Sequence, residues 1–221
     1  MENIRIAIDG PAGAGKSTVA RIVAEKLGLV YIDTGAMYRA IAYGVINQGI
    51  KPEDEEFVTS YAGEHSVSFS RVDGDLQVML DGHDVSEAIR EPEIGAAAST
   101  VSAFLGVRNI LVEKQKRLGA QGNVVMDGRD IATNVMPDAE LKIFLTAVIK
   151  ERAMRRFLEL KDRGNDVHYK TILFDISERD ERDIQREHAP LKQADDAIGI
   201  DTTGLTIDEV ADKIIELARN K

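Results

Sequence analysis

The octapeptide Gly10-Pro11-Ala12-Gly13-Ala14-Gly15-Lys16-Ser17 constrains this chain more than any other stretch, because it dictates what must stand on either side of it. It matches G-x-x-x-x-G-K-[ST] at every defined position, and Thr18 follows. Glycines let successive backbone N–H groups converge on an anion, and a helix starting near Lys16 adds its positive end. Lys16 reaches the outer phosphates, and the Ser17 hydroxyl can ligate Mg²⁺. Such a loop works between a strand and a helix, and the flanks comply. Ile4 to Ile8 reads as an apolar strand, while Val19, Ile22, Val23 and Leu27 recur at helical spacing up to a capping Gly28. A second strand at Leu29 to Ile32 completes a βαβ unit. Residues 10–18 are therefore read as an ATP or GTP site.

Further apolar strands at Val124 to Met126, Leu141 to Leu145 and Ala197 to Ile200 alternate with helical stretches, which predicts an α/β parallel sheet covered on both faces. Thr206 and Glu209 have the spacing of a capping box at the start of the last helix. Residues 66–89 break the rhythm. Ser66 to Ser70 and Leu76 to Leu80 flank Asp73-Gly74 as a β-hairpin would, with a second turn at Asp81-Gly82, and predict a small antiparallel insertion.

Composition narrows the function classes. At 221 residues the chain is one domain, or one domain with an insertion, and 43% hydrophobic with 30% charged residues argues against disorder. With no cysteine, disulfides, Cys-ligated zinc, iron–sulfur clusters and Cys nucleophiles are excluded. A net charge of -10 argues against a nucleic-acid polymer as partner, since displacing phosphate counterions needs a positive face. No run approaches the ~18 apolar residues of a membrane span, and residues 1–9 lack the features of a signal peptide, so the expected address is the cytoplasm with no membrane partner.

Two classes of nucleotide user remain, a small-molecule kinase and a switch or motor NTPase. A GTPase base-reading Asn-Lys-x-Asp tetrapeptide does not occur. A kinase needs an acceptor site and arginines to neutralise the transferring phosphoryl group, and three clusters supply them. Asp33-Thr34-Gly35-Ala36-Met37-Tyr38-Arg39 opens a helix after the second strand, where ligands of α/β folds bind, although Asp33 or Thr34 could simply cap that helix. Asp127-Gly128-Arg129-Asp130 ends another strand. Asp127 and Asp33 compete for the carboxylate beside Mg²⁺. In Glu178 to Arg186, helical spacing would put Arg179, Arg182, Asp183 and Arg186 on one face, and Glu151 to Arg156 repeats the theme.

The segments GPAGAGKS, DTGAMYR, AAASTVSAFLGVR, DGRD, ERAMRR and SERDERDIQREHAPL, in this order over nearly the whole chain, resemble bacterial cytidylate kinases of the longer type. The resemblance implies one P-loop nucleoside monophosphate kinase domain over residues 1–221, with a nucleotide-binding insert at 60–95 and a lid with an Arg-rich helix at 150–188. It implies that Thr34, Arg39, Arg129 and Arg186 hold the acceptor phosphate. Ser99, Arg108 and Asp130 would read cytosine, and Arg179 and Asp183 would hold the ribose. ATP and CMP or dCMP are the implied ligands. The loop chemistry itself puts Mg²⁺ on Ser17, with Asp127, in competition with Asp33, as the candidate carboxylate through water, and a monomer is expected. Lys16, Arg152, Arg156 and Arg182 would neutralise the transferring phosphoryl group, and closure of insert and lid would exclude water.

The charge of -10 is unevenly spread: residues 51–95 hold 12 acidic and 3 basic residues, so the rest of the chain is nearly neutral. Seven of the 16 arginines lie between Arg152 and Arg186.

Overall fold

A computed structural model describes residues 3–72 and 75–221. In chain order the elements are β1 (Arg5–Asp9), α1 (Lys16–Leu27), β2 (Val30–Asp33), α2 (Thr34–Asn47), α3 (Glu55–Glu64), β3 (Val67–Val72), β4 (Asp75–Leu80), β5 (His83–Asp84), α4 (Pro92–Val101) and α5 (Leu105–Gly119). They continue with β6 (Val124–Gly128), β7 (Leu141–Thr146), α6 (Ile149–Asp162), α7 (Tyr169–Gln185), β8 (Ile198–Asp201) and α8 (Ile207–Arg219). The chain divides into two compact units, Met1–Ile32 with Gly119–Lys221, and Asp33–Leu118. Among the described residues no single helix is long and apolar enough to cross a membrane.

The first unit is built on a five-stranded sheet of order β2-β6-β1-β7-β8, in which β1 pairs in parallel with both β6 and β7, and β7 with β8. Strand β6 is buried along its whole length, and Ile6 and Ile8 on β1 and Ile143 and Leu145 on β7 are fully buried, as a sheet covered on both faces requires. Helix α1 packs on β6 and on α8. The start of α8 carries the expected capping box: the Thr206 hydroxyl accepts from Glu209 N at 3.3 Å, and the Glu209 carboxylate from Thr206 N at 2.8 Å. Helices α6 and α7 pack against each other over a small apolar cluster of Ala153, Leu160, Ile172 and Ile176.

The second unit centres on α2, whose Met37, Ile41 and Val45 are fully buried against α3, α4 and the antiparallel sheet β3-β4-β5. The hairpin register pairs Val67 with Leu80 and Phe69 with Val78, so its apolar residues alternate toward that core. The Asp73-Gly74 turn lies outside the described residues. The Asp81-Gly82 turn leads into β5 as the sequence suggested.

Close approach decides one glycine in this unit. A Cβ on Gly44 of α2 would stand 2.1 Å from the Tyr61 hydroxyl and 2.6 Å from its ring. Gly44→Ala gains about 1 kcal/mol of helix propensity, but the clash with a buried ring costs more, as overpacking by about 1–3 kcal/mol does elsewhere. The expected outcome is a lower thermal midpoint for Gly44→Ala, with partial recovery in Gly44→Ala/Tyr61→Leu.

Candidate active site

The loop between β1 and α1 leaves the C-terminal end of the central strand, where α/β sheets bind their ligands. Gly10 stands at φ 148°, and a Cβ there would lie 2.0 Å from the Leu145 carbonyl oxygen, so no other residue fits between the loop and β7. Lys16 is buried, and its ammonium donates to the Pro11 carbonyl at 2.8 Å across the loop. Burial first, and then the charge of Arg129, draws its pKa down to about 7. A buried cation among other cations is what an arriving polyphosphate would relieve.

Ser17 donates to Asp127 Oδ2 at 2.8 Å, while Tyr31, buried on β2, donates to Asp127 Oδ1 at 2.9 Å. Asp33 is engaged otherwise: it accepts from Ala36 N at 2.9 Å as the cap of α2 and pairs with Arg39 at 2.7 Å. Of the two strand-ending carboxylates, Asp127 is the one joined to the Ser17 hydroxyl. Two oxygen donors side by side fit a hard cation that keeps most of its water and takes its other ligands from phosphates.

Beyond β6 the chain turns through Arg129 and Asp130 into a single π-helical turn, Ile131–Val135. Asp9, 1% exposed at the end of β1, fixes that turn by accepting from Ile131 N at 2.8 Å and Ala132 N at 2.7 Å. Burial pushes the Asp9 carboxyl up to about 6 in spite of these two bonds. Arg129 Nε donates to Asp183 at 2.8 Å, and Arg186 lies 3.4 Å from Asp130. Burial works to raise the Asp183 pKa, yet Arg129, Arg179 and Arg186 together hold it below the ordinary carboxylate range. Arg129, Asp130, Asp183 and Arg186 thus form a cluster of alternating charge in the same unit as the phosphate loop.

The arginine-rich helix differs from the face expected of it. The buried stripe of α7 is Ile172, Ile176, Asp180 and Asp183, an apolar stripe continued by two carboxylates. Arg179 is half-buried beside it, Arg182 is exposed, and Arg186 stands one residue past the helix, with φ -59° and ψ 140°. Arg152, on the first turn of α6, is buried. It pairs with Asp180 at 2.6 Å and donates to the carbonyls of Ala12 and Ala147, each at 2.9 Å. Arg156 is partly exposed and pairs with Glu159 at 2.8 Å.

The second unit presents its own polar set. Thr34, Ser99 and Arg108 are each less than a tenth exposed. Arg108 donates to the Ser102 carbonyl at 3.3 Å and lies over the Tyr38 ring, 5.9 Å from its centroid, while the Ser102 hydroxyl donates to the Ser99 carbonyl. Arg108 and the Ser99 turn are therefore neighbours, although eight residues separate them in sequence.

The family model described as cytidylate kinase matches residues 6–220 of this chain. The chain belongs to the cytidylate kinase family. A cytidylate kinase of Caldicellulosiruptor bescii is 52% identical over 98% of this chain and 96% of its own length, and that of Bacillus subtilis is 48% identical over 100% and 98%. Among solved structures, an uncharacterised protein from Eubacterium ventriosum aligns over both whole chains with a TM-score of 0.57 at 16% identity. A shikimate kinase from Bacteroides thetaiotaomicron covers 98% of both chains with a TM-score of 0.50 at 14% identity. These two share the fold with this member of the cytidylate kinase family.

Several supporting residues of this cytidylate kinase family member escape a motif reading: Asp9, Tyr31, Asn134 and Asp180. For Asp180 a signal did exist, because Ile172, Ile176, Asp180 and Asp183 recur at spacings of four, four and three. Asp180 also approaches the loop directly, accepting from Ala12 N at 3.4 Å. Asp180→Ala strands the Arg152 guanidinium in a buried site, and removing one partner of such a pair costs about 3 kcal/mol. Chemical denaturation should show that loss, with a raised KM for ATP because Ala12 N loses its carboxylate acceptor and Arg152, which holds the Ala12 carbonyl, loses the partner that orients it. Asp180→Asn, which keeps an acceptor, should lose less on both counts.

Proposed function

We propose that this chain transfers the γ-phosphoryl group of ATP to the 5′-phosphate of CMP or dCMP, giving CDP or dCDP and ADP. One observation carries the reading: a phosphate loop with a buried lysine and a guanidinium–carboxylate cluster stand in the same compact unit, so one unit holds chemistry for a triphosphate donor and for an anionic acceptor. A switch NTPase needs only the first. Family membership supports the same activity.

The acceptor oxygen is already ionised at neutral pH, so no general base is needed and the work is positioning and charge neutralisation. Residues 10–18 take the ATP phosphates on backbone N–H groups, with Lys16 at the outer phosphates. Bound Mg²⁺ would supply further charge neutralisation on the triphosphate. Ser17 would hold it directly and Asp127 through water. Thr34, Arg39, Arg129 and Arg186 are assigned to the acceptor phosphate, Arg179 and Asp183 to the ribose. Arg156 and Arg182 are assigned to the transferring group, and Arg152 serves it by holding the loop carbonyl of Ala12.

Base choice is assigned to Ser99, Arg108 and Asp130. Cytosine offers an amino donor at N4 with acceptors at N3 and O2, whereas uracil offers an acceptor at O4 and a donor at N3. A carboxylate at Asp130 accepts from the amino group and repels O4, and Arg108 donates to ring acceptors. Polar groups left unpaired by the wrong base discriminate strongly.

ADP release measured with CMP, dCMP, UMP, AMP and shikimate as acceptors tests the reading. CMP and dCMP should be preferred by at least about tenfold. Preference for another acceptor, or ATP turnover indifferent to any acceptor, would overturn it. Asp130→Asn should erode the CMP over UMP preference with the KM for ATP near normal. A second prediction follows from Lys16. Its pKa is lowered in the free protein, and bound phosphates raise it, so between about 7 and its ordinary value the bound state carries more protons. ATP binding near pH 8.5 should therefore take up protons, visible as a binding enthalpy that changes between buffers of different ionisation enthalpy. Lys16→Met should abolish that difference.

A further inference from the structure

The π-helical turn after Asp130 does more than change the chain's direction. Its extra residue brings Asn134 back over Asp130, so that the backbone N–H groups of Asn134 and Val135 share the Asp130 carbonyl at 2.9 and 3.3 Å. The Asn134 side chain donates in turn to Asp130 Oδ2 at 3.1 Å. Arg186 approaches the other oxygen, Oδ1, at 3.4 Å, and its Nε is tied to the Ala189 carbonyl at 2.5 Å. The base of the turn is itself immobilised by the two bonds from Ile131 and Ala132 to Asp9. Asp130 is 6% exposed, whereas Asn134 is half-buried and lines an open cavity of about 460 Å³ shared with Thr133, Pro190, Lys192 and Gln193.

A guanidinium beside a carboxylate tends to take both oxygens in a bidentate fork. Were Arg186 to do so, the Asp130 carboxylate would rotate toward it, and both groups would be spent on each other. The amide of Asn134 on Oδ2 opposes that rotation and fixes the plane of the carboxylate. From this geometry we infer that Asn134 is a positioning residue for base selection, holding Asp130 in the orientation that reads the amino group of the acceptor's base and keeping Arg186 from closing onto it. The inference rests on the assignment of Asp130 to base reading given above. Asn134 acts through Asp130 and contacts no reacting atom.

The test compares Asn134→Leu, which keeps the approximate shape and loses the donor, with Asn134→Gln, whose longer amide can reach across from the cavity side. The readouts are kcat/KM for CMP and for UMP, KM for ATP and the thermal midpoint. Asn134→Leu should lower the CMP over UMP preference about tenfold, mainly through KM for CMP, with KM for ATP within about twofold of the parent. Asn134→Gln should recover part of the preference. An unchanged preference in Asn134→Leu, when Asp130→Asn loses it, overturns the role of Asn134 and leaves base reading by Asp130 standing. An unchanged preference in both variants overturns base reading and this inference together. A fall in CMP preference accompanied by an equal rise in KM for ATP and a lower midpoint, with no recovery in Asn134→Gln, marks a merely structural residue and also overturns it.

Discussion

The loop from Gly10 to Lys16 is tied to segments distant in the chain, and this constraint organises the sheet-bearing unit. Neighbours hold the loop in place. Gly10 lies against the Leu145 carbonyl of the adjacent strand, Arg152 takes the Ala12 carbonyl, Asp180 reaches Ala12 N, and Lys16 spans the loop to Pro11. The strand order, with β1 between β6 and β7, makes these contacts possible by placing the loop between the ends of its two neighbours.

Charge in this unit is buried in alternation. Arg152 with Asp180, Arg129 with Asp183 and Arg186 with Asp130 each pair a guanidinium with a carboxylate at low exposure. Such pairs contribute little net stability, because desolvation offsets their attraction, but they fix orientation, and removing one member is costly. The arrangement suits a protein that handles anions: guanidiniums are kept soluble and aimed by carboxylates that an arriving phosphate can supplement.

Local signals were strong wherever a residue's role depends on its own backbone. The phosphate loop, the five strands of the sheet, the hairpin strands and the capping box at Thr206 are all set by short-range patterns of glycine, apolar period and side-chain capping, and each stands within a residue or two of its expected place. Roles that depend on partners from elsewhere were hidden. Asp33 and Asp127 each end a strand and read alike, yet one caps a helix and pairs with Arg39 while the other meets Ser17 and Tyr31. Arg152 reads as a lid arginine for the transferring phosphoryl group and is buried against the Ala12 carbonyl of the loop; Arg186 reads as the last residue of a helical face and stands one residue beyond the helix.

The sequence by itself determined that this chain builds a nucleotide loop on a parallel sheet, and its ordered motifs placed it with the cytidylate kinases, because motif spacing survives without knowledge of contacts. Tertiary structure alone decided which carboxylate answers which cation. Asp9, Asp180 and Asp183 are interchangeable as letters, but each takes its partner from a segment distant in the chain, and only folding sets which oxygen lies within about 3 Å of which donor.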